Sequence, residues 1–315
     1  MCSAADLPVL LARTDGLVWV DIPVWDESAE RTLTTAFGLH PLAIRDSANR
    51  NPVPKIHCYD DHVFLVLHAP QPGVGGHVHY VELDQFVGER YLVTVHGPLN
   101  PAVDPAAAKV EVDAVLGRLA SGKLKPSRAF ELSYALLTVL TGRLRTFTAD
   151  LTKDVWTLEQ RVTGGHLGDP ESFLEEMFRA RHGLLAVSTM SALSREVYSR
   201  MATIAVFGSG HGQALLQDAV DQFHRLSVMA DTQKAYLQGT IEFYQARTNT
   251  KMTVAAERLA VIAAITLPVT ALSSVLGMNL IVNDRTDWVL LAITVAVMLA
   301  MSTMLLIWAR RKGWF

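Results

Sequence analysis

The chain has 315 residues, of which 50% are hydrophobic and 19% are charged, and its formal net charge at pH 7 is −3. This weak acidity gives no reason to expect a nucleic-acid partner. The two cysteines, Cys2 and Cys58, suggest neither a disulfide framework nor a cysteine-based metal site, which is typical of a reducing compartment. The hydrophobic excess lies largely in about the last sixty residues, so an apolar C-terminal part follows a longer polar part.

Residues 1–126 are predicted to form an α/β domain. Segments rich in Val, Tyr and Phe and bounded by Gly, Pro or Asn are predicted strands, and they cover 16–24, 55–68, 77–86 and 90–96. A helix is predicted over 28–37, with Ser28 as its N-cap. The start of the chain has no basic region before its short apolar run, so we expect this domain to stay in the cytosol.

Few residues of this domain suggest chemistry. His77 and His79 lie two apart on a predicted strand and share a face, which is metal-ligand spacing, but no third ligand is adjacent in sequence. Surface histidines are therefore the default interpretation, and a zinc site is the alternative. Asp60 and Asp61 precede an apolar strand and are interpreted as turn residues. The sequence contains no glycine-rich phosphate loop, no Ser-His-Asp spacing and no HExxH motif, so we do not expect an enzyme.

The middle of the chain is predicted to be helical. A short helix covers 105–119, and an antiparallel helical pair covers 127–206, with Asp169 capping the second long helix and Pro170 in its first turn. Residues 213–267 contain no proline and only one glycine, Gly239, which favours a single stalk helix over 213–258 that continues onward. One side of this helix carries apolar residues at helical spacing, namely Ala219, Phe223, Leu226, Ala230, Leu237, Ile241 and Tyr244.

Two uncharged segments near the C-terminus, 259–280 and 288–309, are long enough to cross a bilayer as helices. Only the outer loop 281–287 joins them, so both chain ends lie on one side of the membrane. Basic residues mark that side as cytosolic, namely Arg247, Lys251 and Arg258 before the first span and Arg310, Arg311 and Lys312 in the tail 310–315. We therefore expect a multi-pass protein of the cell (inner) membrane with cytoplasmic termini.

The first span is unusually polar for an anchor. It contains Pro268, carries hydroxyl side chains along its length, and ends in Gly277-Met278-Asn279. The hydroxyls belong to Thr266, Thr270, Ser273 and Ser274. Polar groups within a bilayer need protein partners or water, so one face of this helix is predicted to meet an aqueous path or another protein surface.

The Gly277-Met278-Asn279 tripeptide, at the outer end of the first of two C-terminal spans, resembles the signature of the CorA-type divalent cation channels. That family includes ZntB-type zinc transporters and mitochondrial magnesium channels. The cytosolic domain is similar to the family as well, at 40–46, Pro54-Lys55, Tyr59-Asp60-Asp61, 64–67 and 92–96. The resemblance implies an α+β fold, with an N-terminal cytosolic α/β domain, a long helical stalk and two C-terminal transmembrane helices in a funnel-shaped homopentamer.

Two helices cannot enclose water, so any channel must be assembled from several copies around an axis. Counting back from Asn279 at roughly helical spacing predicts a pore-lining row of Ser274, Thr270, Leu267, Ala263, Leu259 and Ala256. The resemblance implies a selectivity filter at Gly277, Met278 and Asn279, a second polar ring at Thr270 beyond the kink at Pro268, and a hydrophobic constriction at Leu259 and Leu267. A capping role for Asn279 at the helix C-terminus is the alternative.

The resemblance further implies passive influx of hydrated magnesium, driven by the membrane potential and closed by cytosolic divalent ions bound between subunits. Candidate carboxylates for the closing sites are Asp84, Asp218, Asp221 and Glu242, each of which also fits a solvated surface charge. The expected partners are further copies of the chain, lipid and divalent ions, without a resident cofactor.

The loop after the filter motif departs from the family pattern. Its acidic residues Asp284 and Asp287 are partly offset by Arg285, and Leu276 stands where the family often has an aromatic residue. These departures leave the identity of the transported ion open. Magnesium is the first expectation, cobalt or nickel the next, and a ZntB-like zinc transporter is an alternative. The other alternative is a membrane-anchored oligomeric sensor or scaffold that conducts no ions.

Overall fold

The computed structural model describes residues 6–98, 100–165, 169–204, 210–280 and 288–311. Within the helices, the side chains at positions 211, 275, 276, 278–280 and 290 lie outside this description. The chain divides into two compact units, Met1–Thr240 and Ile241–Phe315.

A five-stranded sheet forms the centre of the first unit. Its strands are β1 (Val18–Ile22), β2 (Lys55–Cys58), β3 (His62–Pro72), β4 (Val78–Gly88) and β5 (Tyr91–Val95), and their spatial order is β1-β5-β4-β3-β2. β1 pairs with β5 in parallel, and the other neighbours are antiparallel. The four predicted strand segments are therefore present.

One predicted strand is wrong in its extent. Segment 55–68 is a hairpin in which the Tyr59 amide donates to the His62 carbonyl at 2.9 Å, so β2 ends at Cys58 and the chain reverses before β3. Asp60 and Asp61 occupy this reversal, in agreement with their interpretation as turn residues. The Asp61 carboxylate also lies 2.6 Å from Nδ1 of His62, which places the turn firmly against the start of β3.

Three short helices cover one face of the sheet, α1 (Leu7–Ala12), α2 (Glu27–Thr35) and α3 (Pro41–Ser47). They form a core with the alternate side chains of the strands, and the buried members include Leu33, Ala43, Ile44, Phe64, Val66, Phe86, Val93 and Val95. The predicted N-cap of α2 is wrong, because the carboxylate of Asp26, not Ser28, accepts the Ala29 amide at 2.7 Å. An aspartate satisfies a free amide of the first turn and carries the charge that the helix dipole favours there.

Further helices lie on the opposite face, α4 (Pro105–Ala108), α5 (Val110–Ala120), α6 (Ala129–Gly164) and α7 (Pro170–Met201). Ser133 of α6 donates to Oε1 of Gln85 on β4 at 2.6 Å, which fixes α6 on this face. The first unit is thus a three-layer arrangement of helices, sheet and helices. Asp169 accepts the Ser172 amide at 2.9 Å, so the predicted cap of α7 is confirmed.

The long helix predicted from the sequence is α8 (His211–Leu280). The predicted apolar series on its first part is buried, namely Ala219, Phe223, Leu226, Ala230 and Leu237. In the second unit α9 (Trp288–Arg311) follows. α8 and α9 each contain an 18-residue stretch apolar enough to cross a membrane, with mean hydropathy of 1.6 and 2.3.

One buried ion pair ties several elements of the first unit together. Arg143 of α6 lies 3.2 Å from Oε1 of Glu111 on α5, and it also donates to the Ala107 carbonyl at 2.9 Å and to Oε1 of Gln71 on β3 at 2.5 Å. The Glu111 side chain is only 2% exposed. Because a buried carboxylate without its partner is costly, this contact determines much of the local stability.

We expect Arg143→Met to lower the free energy of unfolding by about 3–5 kcal/mol, since Glu111 would remain buried without its counter-ion. Urea unfolding of the full chain in detergent measures the change. The matched control is Arg145→Met, which alters an exposed arginine two residues along the same helix and should shift the unfolding free energy by less than about 0.5 kcal/mol. Equal effects of the two variants would contradict the prediction.

Candidate ion pathway and cytosolic carboxylates

The membrane part of α8 has one covered face. Burial or partial burial recurs at spacings of three and four residues, at Val261, Ile265, Val269 and Leu272. α9 shows a similar series at Thr294, Met298, Met301, Leu305 and Ala309. Residues at this spacing share one side of a helix, so each span has one side that is more covered than the rest.

The predicted pore-lining row lies on the other side of α8. At about 100° per residue, the row from Ala256 to Ser274 is centred roughly opposite the covered series. Ala263 is half-buried and the other five members are exposed, with Leu259 at 67% and Leu267 at 66%. Within one described chain, this face remains available to water or to further copies.

The threonines of the first span satisfy their own donors. The Thr270 hydroxyl donates to the Thr266 carbonyl at 2.8 Å, and the Thr266 hydroxyl donates to the Ile262 carbonyl at 2.9 Å. These bonds are adjacent to Pro268, which has no amide hydrogen of its own. With the hydrogen directed into the helix, the Thr270 oxygen keeps its lone pairs as acceptors. Such a group suits a donor, for example a metal-bound water.

Asn279 does not continue the row. The backbone is helical to Leu280, and five residues separate Asn279 from Ser274, which corresponds to a rotation of about 500°, or 140° away from the row. A Cβ built on Gly277 would meet no heavy atom within 4 Å. The side chains of Met278 and Asn279, and the loop residues Asp284 and Asp287, lie outside the described residues. For Asn279 and the row to face one axis, the backbone must leave α-helical geometry near Gly277.

Asp84 is the best-defined of the predicted regulatory carboxylates. It lies on the central strand β4, is fully buried, and accepts the Ser47 hydroxyl at 2.6 Å. Burial, followed by the charge of Glu82, raises the pKa of Asp84 well above its usual range. A carboxyl enclosed within one chain does not meet a neighbouring subunit, so Asp84 does not fit the metal site between subunits that the sequence predicts for it.

Asp218 lies at the contact of α8 with α6. It accepts the Tyr134 hydroxyl and also the Gln222 amide at 2.5 Å. The bond from Tyr134 lowers the pKa of Asp218, whereas burial, together with Asp218, raises the pKa of Tyr134 to about 12. Asp218 is therefore an ionised acceptor in a side-chain network that joins two helices.

The remaining two carboxylates are more exposed. Asp221 accepts the Gln217 amide at 3.1 Å, and Glu242 belongs to the second unit. In the described part of the chain, no three His, Cys, Asp or Glu side chains are grouped so that they could hold a metal ion. Because the predicted sites lie between subunits, the role of Asp218, Asp221 and Glu242 stays a prediction.

His77 and His79 have a third histidine as a neighbour, His182, which was not predicted from the sequence. The His77 and His79 rings lie 5.1 Å apart, and His182 of α7 stacks on His77 at 6.0 Å. Since His182 is more than a hundred residues away, only the packing of α7 beside β4 brings the rings together. This cluster is not a metal group either, so the structure gives no support to the zinc alternative at this place.

Comparisons with known proteins agree with this arrangement. A family model described as CorA-like Mg2+ transporter protein matches residues 14–311. YfjQ of Bacillus subtilis (strain 168), described as a metal ion transporter, is 23% identical over 307 residues and covers 94% of this chain and 89% of that protein. The cobalt/magnesium transport protein CorA of Thermotoga maritima is 20% identical over 284 residues, with 88% of this chain and 77% of that protein covered.

A solved structure shares the fold. The CorA magnesium transporter from Methanocaldococcus jannaschii superposes with a TM-score of 0.78 at 15% identity, and the match covers 94% of this chain and 91% of that one. Because the family model spans almost the whole described chain, with its α/β domain, long helix and two candidate spans, the protein belongs to the CorA-like Mg2+ transporter family of divalent cation transporters.

Proposed function

We propose that the protein is a homopentameric channel through which hydrated magnesium enters the cytosol passively. The observation that carries this proposal is the uncovered row of α8, which lies opposite the covered side of the same helix. A helix that used its polar face only for anchoring would have no need of exposed hydroxyls within an apolar stretch. Several copies arranged around an axis would turn each row position into a ring.

The order of residues along the row suits hydrated ion passage. The outer part offers hydroxyl oxygens at Thr270 and Ser274, and the inner part offers aliphatic side chains at Leu259 and Leu267. Apolar rings close a pore by excluding water, so a small narrowing at the leucines is enough to stop conduction. The inner part would then act as the gate and the outer part as the filter.

The chemistry of the outer part favours an ion that keeps its waters. Magnesium dehydrates reluctantly, and the hydrogens of its bound waters point outward as donors. The Thr270 oxygen accepts because its own hydrogen is directed to the Thr266 carbonyl. A ring of neutral Asn279 amides would accept in the same way without holding the ion as tightly as carboxylates would. We therefore assign selectivity to Asn279 and Thr270.

The membrane potential supplies the driving force. Two charges that move through 100 mV gain about 4.6 kcal/mol, at about 2.3 kcal/mol for each charge. This energy sustains an inward gradient of about a thousandfold, since each factor of ten corresponds to about 1.4 kcal/mol. Uptake would then need no ATP. Excess cytosolic divalent ions would close the pore through carboxylates such as Asp218, Asp221 and Glu242.

A second candidate is a zinc transporter of the ZntB type. It is favoured by the departure of loop 281–287 from the family pattern, in which Arg285 offsets part of the charge of Asp284 and Asp287. A weaker outer field would attract both divalent cations less effectively and would not by itself favour magnesium over zinc. Magnesium and zinc should therefore be compared in one assay, and cobalt and nickel added as ions of similar size.

Asn279→Ala should lower magnesium influx into proteoliposomes by about tenfold or more, because each subunit loses an acceptor worth about 0.5–1.5 kcal/mol. A magnesium-sensitive dye inside the vesicles measures the initial rate under an inward gradient and a negative internal potential. Asn249→Ala, an exposed asparagine on the same helix, is the matched control and should conduct as wild type does.

If wild type and Asn279→Ala are equally silent for magnesium and zinc, while both remain oligomeric, the protein is the non-conducting scaffold. If zinc passes and magnesium does not, the zinc alternative replaces the main proposal. Equal and robust influx in both variants would leave the channel but remove Asn279 from the filter.

Thr270→Val should reduce magnesium influx by about three- to tenfold, since valine keeps the shape of threonine but offers no acceptor oxygen. Thr270→Ser should keep most of the wild-type rate. The matched control is Thr303→Val on α9, where the hydroxyl likewise donates to a helix carbonyl, that of Leu299. A loss of influx in Thr303→Val as large as that in Thr270→Val would show a general helix effect and contradict the filter role.

A further inference from the structure

Two carboxyl groups of β4, Glu82 and Asp84, share a face of the central strand because they are two residues apart. Asp84 is fully buried and Glu82 is only 9% exposed. We refer to them as the β4 carboxyl pair. Burial of two acids side by side is costly unless cations or protons compensate them, and the ion pathway gives this pair no role.

Both members hold the same segment of chain, residues 41–51, which comprises α3 and the turn after it. Ser47, the last residue of α3, donates its hydroxyl to Oδ2 of Asp84 at 2.6 Å. Asn51 donates its backbone amide to Oε2 of Glu82 at 2.9 Å and its side-chain amide to Oε1. Oδ1 of Asp84 has no hydrogen-bond partner among the described residues. The pair is therefore the polar attachment of segment 41–51 to the sheet.

The charged groups around the pair do not neutralise it. Lys55 of β2 is a basic side chain whose charge acts on Asp84, but its Nζ bonds to Asp46 of α3 at 2.6 Å. His57 of β2 lies 3.8 Å from the same Asp46 carboxylate. Arg50, after α3, is exposed and lines a cavity of about 20 Å³ beside Glu82, together with His96 and Asp104.

The histidine opposite Glu82 in the sheet register is His68 of β3. Its Nε2 lies 2.7 Å from the Asn51 carbonyl, which can only accept, so Nε2 carries the hydrogen. Burial lowers the pKa of His68, and the ring is therefore neutral at pH 7. With no buried cation at hand, the two carboxyls cannot both ionise without strong repulsion.

We propose that the β4 carboxyl pair is a proton-binding switch, in which one proton holds segment 41–51 on the sheet and its loss at alkaline pH releases the segment. The proton resides on Asp84, which is more deeply buried than Glu82, and the two oxygens of Glu82 accept the backbone and side-chain amide hydrogens of Asn51. The ligand of this site is the proton, and the proposal does not depend on the ion pathway.

The direction of the pH effect follows from the raised pKa of Asp84. A carboxyl that binds its proton more tightly in the folded state stabilises that state fully below its unfolded pKa of about 3.9. The stabilisation decreases as pH rises toward the folded pKa and is lost above it. Segment 41–51 should therefore be most firmly attached in acid and should loosen as pH increases.

Hydrogen exchange of segment 41–51 in the full chain in detergent, corrected for the intrinsic pH dependence of exchange, tests the switch between pH 5 and pH 9. Wild-type protection should fall by up to about tenfold per pH unit until the folded pKa is passed. Asp84→Asn, which imitates the protonated form, should keep its protection over the whole range. Asp113→Asn, an exposed aspartate of α5, is the matched control and should follow wild type.

Infrared spectroscopy gives a second readout. The wild type should show the carbonyl band of a protonated carboxylic acid at pH 7, and Asp84→Asn should lack it. If Asp84→Asn does not fold, Glu82→Gln serves in its place. It removes the second cause of the raised pKa of Asp84 and leaves burial, the first cause, so the fall in protection should end at a lower pH than in wild type.

The proposal would be overturned if hydrogen-exchange protection of segment 41–51 did not change with pH in wild type. It would also be overturned if protection fell with pH equally steeply in Asp84→Asn. Removal of the acid band by millimolar magnesium at pH 7 would overturn it as well, since the pair would then bind metal rather than a proton.

Discussion

A hairpin of two membrane helices has one face on each helix that the other covers, and everything else must face lipid, water or another chain. This constraint decides how the C-terminal part of the protein can work. The series of α8 from Val261 to Leu272 is covered, and the row with Thr270 and Leu267 is left on the other side. If such a row faces water inside a membrane, further copies of the chain must enclose that water, which is why the proposed channel is an oligomer.

The same helix shows how local chemistry would prepare the proposed ion-binding surface. A threonine hydroxyl in a helix can satisfy its donor on a carbonyl one turn back, and the bond from Thr270 to Thr266 does this. The oxygen then has only acceptor capacity, which matches the outward hydrogens of a hydrated cation. The filter motif differs, because Asn279 lies about 140° from the row in a continuous helix. Gly277 is the residue at which the backbone can change direction most cheaply.

The first unit is held together in part by polar groups that its apolar core would otherwise exclude. On one face of the sheet, Glu82 and Asp84 attach segment 41–51, and on the other, Arg143 and Glu111 join α5 and α6 to β3. The two contacts differ in kind. The arginine pair is compensated within itself, whereas the carboxyl pair is proposed to need a proton, so of these two contacts the second is the one that would respond to pH.

Periodicity and composition were enough to predict the four strand segments, the long helices and the two candidate spans, since these depend on local pattern and on long uncharged runs. The family was predicted from the resemblance of Gly277-Met278-Asn279 and from its position between the two spans. Local pattern gave the wrong prediction where the structure depends on contacts that the pattern does not specify. The reversal at Tyr59 interrupts a continuous apolar run, and Asp26 takes the cap that Ser28 could equally have taken. The sequence does not distinguish the buried Asp84 from a surface aspartate, and it does not indicate that His182 lies beside His77. Sequence thus determined which segments are helices, strands and spans, because each is specified by its own residues. Only the tertiary structure decided which side of α8 is free and which carboxyls are buried, because burial depends on chain segments that are distant in sequence.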